Sequence, residues 1–86
     1  MAYILKIDGT TIENCSMKIP DIQAVIGGYF QIVNAKDGQI IIINENGKLE
    51  SLPINQKATE LYQYGKYDPI VGDVIICNQS ELNNKE

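Results

Sequence analysis

Four consecutive isoleucines at positions 40–43 constrain the fold of this chain more than any other feature. A branched Cβ packs well on a pleated surface, so such a run favours a β-strand. Because side chains alternate between the two faces of a strand, this one has no polar face. We therefore predict a strand over residues 39–44 at the centre of a sheet that is covered on both sides.

Turn-forming residues divide the rest of the chain into short elements. Three dipeptides tolerate the positive φ of a hairpin turn: Asp8-Gly9, Asp37-Gly38 and Asn46-Gly47. The other predicted strands span residues 3–8, 11–17, 29–35, 48–52 and 74–78. The alternation of apolar and polar residues over positions 11–17 is interrupted between Ile12 and Cys15, which predicts a bulge or an early end of that strand.

Two short helices are predicted from apolar spacing and from the residues at their ends. Apolar side chains of residues 21–26 follow the i, i+3, i+4 spacing of a helix, and Gly27 ends it. Asn55 is suited to cap a second helix over residues 56–64, which Gly65 ends.

The order of these elements is β-β-α-β-β-β-α-β. It predicts an α+β domain with a mainly antiparallel, curved sheet of about six strands and two short helices. We expect this single domain to span residues 1–78 and a polar, flexible tail to follow at residues 79–86.

The absence of His, Arg and Trp narrows the classes of function. Without His, the chain lacks the usual proton shuttle at neutral pH and the commonest metal ligand. Without Arg, it lacks a bidentate clamp for phosphate. Its net charge of −4 comes from lysines dispersed singly among acids, so no basic surface for nucleic acid emerges. We predict that the protein is not an enzyme, holds no metal or cofactor, and binds no nucleic acid.

The two cysteines, Cys15 and Cys77, lie far apart in sequence and lack the spacing of a metal site. We expect them to be buried, free thiols. The apolar N-terminus breaks at Lys6, too early for a signal sequence, and no apolar run approaches the roughly 20 residues that span a bilayer. We therefore expect a protein of the cytoplasm that does not enter a membrane.

Three segments of the second half resemble one family. They are the Asn-Gly turn at residues 46–47, Leu-Pro-x-Asn-x-x-Ala-Thr at residues 52–59, and Val-Gly-Asp-Val at residues 71–74. This order resembles a family of small domains of unknown function encoded by bacteriophages, plasmids and other mobile elements. The resemblance covers about residues 3–77.

One position departs from the pattern of this family, which tends to carry a second Pro where the chain has Ile54. The family also tends to carry a basic residue three positions later, and the chain has Lys57 there. The resemblance implies an accessory protein of a mobile element, located in the host cytoplasm, with no established enzymatic activity.

The start of the second predicted helix is the first candidate site. Its unpaired amides, together with Lys57, can hold a phosphate or another anion without Arg. Asn55 belongs to this site, and Thr59 and Asn44 add hydroxyl and amide contacts. The alternative is structural: Asn55 caps the helix, Lys57 is solvated and Thr59 packs.

Tyrosines near the end of this helix are the second candidate site. Tyr62 or Tyr64 can stack on a nucleobase or anchor a partner. On a helix these two residues lie about 200° apart, so only one of them faces a given ligand. The other aromatic residues of this candidate site are Tyr29, Phe30 and Tyr67. The alternatives are ordinary core and rim aromatics, or a subunit interface.

Two further patterns predict no site. A calcium loop aligned on Asn46-Gly47 puts Ile42 and Pro53 where carboxylates are required. Asp68 and Asp73 flank a short segment, but paired catalytic carboxylates need an enclosed cleft, and Asp73 fits ordinary turn chemistry.

Together with the resemblance to proteins of mobile elements, these observations predict a non-catalytic binding protein that sequesters a small anionic or nucleotide-like host defence signal. Its predicted ligand-binding residues are Asn44, Asn55, Lys57, Thr59, Tyr62 and Tyr64. We expect a homo-oligomer, because one small domain does not easily enclose a pocket of several hundred Å3. The main alternative is a protein-interaction module that inhibits or redirects a host protein through an edge strand or an aromatic patch. An enzyme and a virion assembly protein are the remaining alternatives.

Overall fold

An antiparallel sheet of five strands forms the centre of the protein, whose computed structural model describes residues 2–83. The strands are β1 (Tyr3–Leu5), β2 (Thr11–Glu13), β3 (Phe30–Asn34), β4 (Ile40–Asn44) and β5 (Val74–Cys77). Their order across the sheet is β2-β1-β5-β4-β3. The helices are α1 (Ile19–Ile26), α2 (Gln56–Leu61) and α3 (Gln79–Asn83). The α+β class and the antiparallel sheet predicted from the sequence are confirmed.

The isoleucine strand β4 lies between β5 and β3 and is covered on both faces, as predicted. Ile41 pairs with Ile76, and Ile42 pairs with Ile75. All four side chains are fully buried. Burying a side chain of this size stabilises the fold by about 1.5–3 kcal/mol, so these central strands carry much of the stability of the domain.

The two faces of the sheet contribute to two separate hydrophobic clusters. On one face, α1 packs Ile22 and Ile26 against Ile42, and Leu82 of α3 joins this cluster. On the other face, Ala58 of α2 belongs to a second cluster with Ile41. The sheet is therefore the middle layer of the domain, and α2 lies on the face opposite α1.

The predicted sixth strand at residues 48–52 is wrong. Instead, residues 45–51 form successive turns, in which the Glu50 N–H donates to the Asn46 carbonyl at 3.0 Å and the Leu52 N–H to the Gly47 carbonyl at 3.1 Å. The Asn44 side chain starts these turns by accepting a hydrogen bond from the Asn46 N–H at 2.7 Å. The chain thus bonds to itself locally and does not pair with a neighbouring strand.

A third helix, α3, also departs from the predicted number of two. Its start is stabilised because the Asn78 N–H donates to the Glu81 carboxylate at 2.9 Å, a bond that caps a free helix amide. The observed order is therefore β-β-α-β-β-α-β-α. Of the tail predicted at residues 79–86, residues 84–86 lie outside the described part of the chain.

Three element ends each have a clear structural cause. Strand β2 stops at Glu13 because Asn14 adopts a positive φ of 58°, which confirms the early strand end. Helix α1 ends at Gly27, at a φ of 95°, as predicted. Helix α2 ends at Leu61, three residues before the predicted end, because Tyr62 is extended and pairs with Ala35.

In residues 2–83, no helix has the length and apolar character needed to cross a membrane.

Candidate functional site

The three segments that carry the family resemblance pack against each other beside β5. Ile54 and Val71 form an isolated β-bridge, and the Gly72 N–H donates to the Pro53 carbonyl at 2.8 Å. Gly47 lies so close to this bridge that a Cβ in its place would be 2.7 Å from Val71 Cγ2. The segments therefore form one structural unit.

Asn55 is the buried centre of this unit. Its side chain is fully buried, caps α2 by accepting from the Ala58 N–H at 3.1 Å, and donates to the Leu5 and Gly72 carbonyls, each at 3.0 Å. Because these bonds use its oxygen and both its N–H groups, Asn55 has no polar group left for a ligand.

Thr59 and Asn44 also bond within the protein. Thr59 Oγ1 donates to the Asn55 carbonyl at 2.9 Å and accepts from the Ile70 N–H at 2.8 Å. Asn44, which is 5 % exposed, donates to the Ile26 carbonyl at 3.1 Å and so joins β4 to α1. Half of the predicted ligand-binding residues thus support the fold beneath the surface, as in the structural alternative.

Lys57 is exposed and lies beside the β1–β2 turn. It borders an open cavity of about 250 Å3 whose lining residues are Tyr3, Leu5, Gly9, Thr11, Lys57, Glu60 and Leu61. Burial, followed by the nearby charges of Asp37 and Glu13, raises the pKa of Tyr3, so its phenol stays protonated and can donate a hydrogen bond. We call this space the Lys57 cavity.

Tyr62 and Tyr64 contact each other on a different part of the surface. Their ring centroids are 5.9 Å apart and their planes meet at 86°, an edge-to-face arrangement. The prediction that they point about 200° apart on one helix is wrong, because α2 ends before both residues. Tyr62 does not line the Lys57 cavity, so the predicted anion residue and this tyrosine belong to different parts of the surface.

Tyr62 borders a groove on the α2 side of the sheet, which we call the β3 groove. Its volume is about 150 Å3. Gln31 and Val33 of β3 and Ile43 of β4 form its floor, and residues 68–71 form one wall. The other lining residues are Asn44, Glu45, Lys48, Leu49 and Tyr62. An ion pair between Lys48 and Asp68 joins the turn segment to the wall.

The groove runs beside the outermost strand of the sheet. At the C-terminal end of β3, the Gln63 N–H donates to the Asn34 carbonyl at 3.1 Å and the Lys36 N–H donates to the Leu61 carbonyl at 2.8 Å. The backbone N–H and C=O groups of every second residue of a strand point to the same side. Those of Phe30 and Ile32 therefore face the same edge as those of Asn34, but the segment 61–63 does not extend alongside them. Among residues 2–83, no segment pairs with this stretch, so the edge of β3 is open there.

Large apolar side chains are exposed on Leu49, which lines the groove, on Tyr64, which contacts the lining residue Tyr62, and on Tyr67, which precedes the lining residue Asp68 in the chain. Leu49 is 86 % exposed, Tyr64 55 % and Tyr67 81 %. In addition, β3 itself has the sequence Phe-Gln-Ile-Val-Asn, without the charges or Pro that usually protect an edge strand. An extended segment of a partner can therefore add to β3 and place a side chain in the groove.

The groove was missed from the sequence, although the strand that forms its floor was predicted. The local sequence of a strand does not indicate whether the strand lies at the edge of a sheet. The available signal was the lack of charge in residues 30–34, which is unusual for an exposed edge.

The thiols and acids of residues 2–83 are candidates for nucleophiles and for metal ligands. Both cysteines are free, as predicted, although Cys15 is only partly buried. Burial is the main cause that raises the pKa of Cys77 to about 11, and it also raises that of Cys15, so neither thiol is an activated nucleophile. Within residues 2–83, no group of three or more His, Cys, Asp or Glu residues is placed to hold a metal ion.

Comparison with known proteins identifies a family of domains. No curated protein and no solved structure matches the chain significantly. The family profile described as "Domain of unknown function (DUF3846)" matches residues 2–85, nearly the whole sequence. On this match the chain belongs to the DUF3846 family of domains of unknown function.

Proposed function

We propose that the protein is a non-catalytic interaction module that binds an extended segment of a partner protein along the open edge of β3. The observation that carries this proposal is the combination of an uncharged, unpaired strand edge with the β3 groove beside it. Backbone hydrogen bonds to Phe30 and Ile32 supply affinity, and a side chain of the partner enters the groove.

The size of the groove favours a side chain over a nucleotide. Pockets for small molecules commonly measure about 300–1000 Å3, whereas the β3 groove holds about 150 Å3. Leu49 lines the groove and Tyr64 contacts the lining residue Tyr62, and both expose apolar surface of the kind found at the centres of protein interfaces. A protein partner uses this surface, and a small ligand does not.

The resemblance to proteins of mobile elements gives this proposal a biological setting. In that setting the protein acts in the cytoplasm of a host cell and inhibits or redirects a host protein. A second copy of the chain is another extended partner for the same edge, and self-association through it would make the protein the homo-oligomer expected from its small size.

Two substitutions at the opposite edges of the sheet test the proposal. Ile32 in β3 is 40 % exposed and Ile12 in β2 is 49 % exposed, and each is the middle residue of an edge strand. A lysine at an edge opposes addition of another strand. We expect Ile32→Lys to lose a partner captured from host lysate, whereas Ile12→Lys retains it.

The oligomeric state of the same variants completes this test. Sedimentation of the purified wild type and variants separates capture of a host protein from self-association. Equal capture and equal oligomeric state in wild type, Ile32→Lys and Ile12→Lys would exclude the β3 edge.

A second candidate function is the sequestration of a small anion, such as a phosphate or a nucleotide, in the Lys57 cavity. The observation that favours it is that no carboxylate of the described residues lies within ion-pair distance of Lys57, while Tyr3 and Thr11 offer hydroxyl groups nearby. Glu60 lines the same cavity and opposes an anion. This candidate therefore ranks second.

A thermal-melt screen against phosphate and host nucleotide signals tests the second candidate. A ligand at 100 times its Kd stabilises the native state by about 2.7 kcal/mol, which in a domain of this size raises Tm by about 10 °C or more. We expect Lys57→Ala to abolish such a shift and Lys66→Ala to preserve it. A panel without any shift rules out sequestration of the ligands it contains.

A further inference from the structure

We propose that the β3 groove selects a partner segment with an apolar residue and, two positions away toward Glu45, a lysine or arginine. This inference rests on the proposed binding at the β3 edge and specifies the chemistry of the partner. Its three components are the apolar lining of the groove, the spacing of side chains along a strand, and the charge of Glu45.

The lining of the groove selects the apolar residue. Val33 and Ile43 form an apolar floor, and Pro69 and Val71 belong to the wall opposite. A strand added to β3 places every second side chain on the same face as Gln31 and Val33. One aliphatic side chain of the partner therefore lies against apolar surface on two sides and is removed from solvent.

Glu45 defines the charge at one end of the groove. Its N–H donates to the Tyr29 carbonyl at 3.0 Å, which fixes Glu45 next to the start of β3. The side chain is exposed, and no cation of residues 2–83 lies within ion-pair distance of it, whereas Lys48 is held by Asp68. The end of the groove near Tyr29 therefore carries an uncompensated negative charge.

The spacing of a β-strand connects these two features. Residues on one face of a strand repeat every second position, about 6.6 Å apart. In the register of β3 with β4, Gln31 lies opposite Ile43, and Tyr29, two positions toward the start of β3, is bonded to Glu45. When the apolar residue of the partner lies opposite Gln31 and over Ile43, the partner residue two positions away lies opposite Tyr29, near Glu45. A cation there compensates the charge, and the net charge of −4 of the whole chain attracts a basic segment at longer range.

Titration with short synthetic peptides, followed by the amide NMR shifts of the 15N-labelled protein, tests this inference. Each peptide contains one Leu in a background of Thr and Ser, with one Lys at position −2, +2, −1 or +1 relative to the Leu. Positions before and after the Leu are both included because the peptide can bind parallel or antiparallel to β3. We expect one of the two peptides with a two-residue spacing to bind about threefold to fivefold more tightly than the others, the size expected for one exposed ion pair.

Variants at the two edges of the sheet assign the preference to Glu45. Glu45→Gln should remove the preference while the peptides still shift the β3 amides, and Glu45→Lys should prefer the peptide with Glu in place of Lys. Glu13→Gln is the matched control, because Glu13 is an exposed acid on the opposite edge strand.

The outcomes separate this inference from the proposed function. If Glu45→Gln keeps the preference of the wild type, the inference is overturned, while peptide shifts at β3 still support binding at that edge. If no peptide shifts the β3 amides at millimolar concentration and Ile32→Lys captures partners as well as the wild type, both proposals are overturned.

Discussion

The side-chain amide of Asn55 donates a hydrogen bond at 3.0 Å to the backbone carbonyl of Leu5, a residue 50 positions earlier in the chain. The same amide group reaches the Gly72 carbonyl, and the Asn55 oxygen caps α2 at Ala58. One fully buried side chain thus holds together the end of β1, the entry to β5 and the start of α2.

Asn55→Ala should destabilise the protein strongly. It removes a helix cap worth about 1 kcal/mol and the two buried hydrogen bonds to the Leu5 and Gly72 carbonyls, worth about 1 kcal/mol each. We expect a loss of about 3 kcal/mol in the free energy of unfolding, measured by urea denaturation. Asn46→Ala, in the exposed turn segment, is the control and should change stability by less than about 0.5 kcal/mol. A similar small loss in both variants would contradict the central role of Asn55.

Gly65→Ala should be more damaging than Gly47→Ala, although both positions are crowded. A Cβ at Gly65 would overlap the Thr59 carbonyl oxygen, which is backbone, whereas one at Gly47 would meet Val71 Cγ2 at 2.7 Å. A side chain rotates or is shortened more easily than backbone moves. We expect the double variant Gly47→Ala/Val71→Ala to show favourable coupling of about 1 kcal/mol in a double-mutant cycle.

Shortening the Thr59 side chain provides no such relief at Gly65, because the obstacle is a carbonyl. Thermal unfolding of Gly65→Ala and of Gly65→Ala/Thr59→Ser should therefore give the same low Tm within error. A large recovery of Tm in the double variant would show that the obstacle at Gly65 is the Thr59 side chain.

The features that could be predicted from the sequence are those that depend on local pattern. The isoleucines at positions 40–43 identified the central strand, because alternation alone shows that both faces are buried. The capping role of Asn55 and the end of α1 at Gly27 follow from the chemistry of single residues. These predictions required no knowledge of which elements meet in space.

The predictions that failed depended on contacts between distant residues. The Asn46-Gly47 dipeptide resembles a hairpin turn, but the turns that it forms pack Gly47 against Val71, far along the chain. Likewise, Tyr62 leaves the helix to pair with Ala35. The β3 groove combines residues from strands, turns and the 68–71 wall, so no single sequence window contains it.

The ion pair between Lys48 and Asp68 should affect the order of the groove more than global stability. Both side chains are about half exposed, and such pairs contribute about 1 kcal/mol or less. We expect Asp68→Asn to change the free energy of unfolding by less than about 1 kcal/mol, while amide exchange of residues 45–52 becomes faster. Salt at 1 M screens exposed charges at distances beyond about 3 Å, so it should produce the same local effect in the wild type. Unchanged exchange in both cases would mean that the turn segment keeps its order without the pair.

Alkaline pH should destabilise the protein partly through Cys77. Burial, then the charges of Glu81 and Cys15, raise the pKa of this thiol to about 11 in the folded state, while an unfolded Cys titrates near about 8.5. Above the unfolded pKa, the unfolded chain loses a proton that the folded chain keeps, so the free energy of unfolding falls as the pH rises from about 8.5 toward 11. The matched variant Cys77→Ala lacks this group, and its urea midpoint should fall less steeply between pH 8 and pH 10.5. Parallel curves for the two proteins would mean that Cys77 does not contribute to the pH dependence.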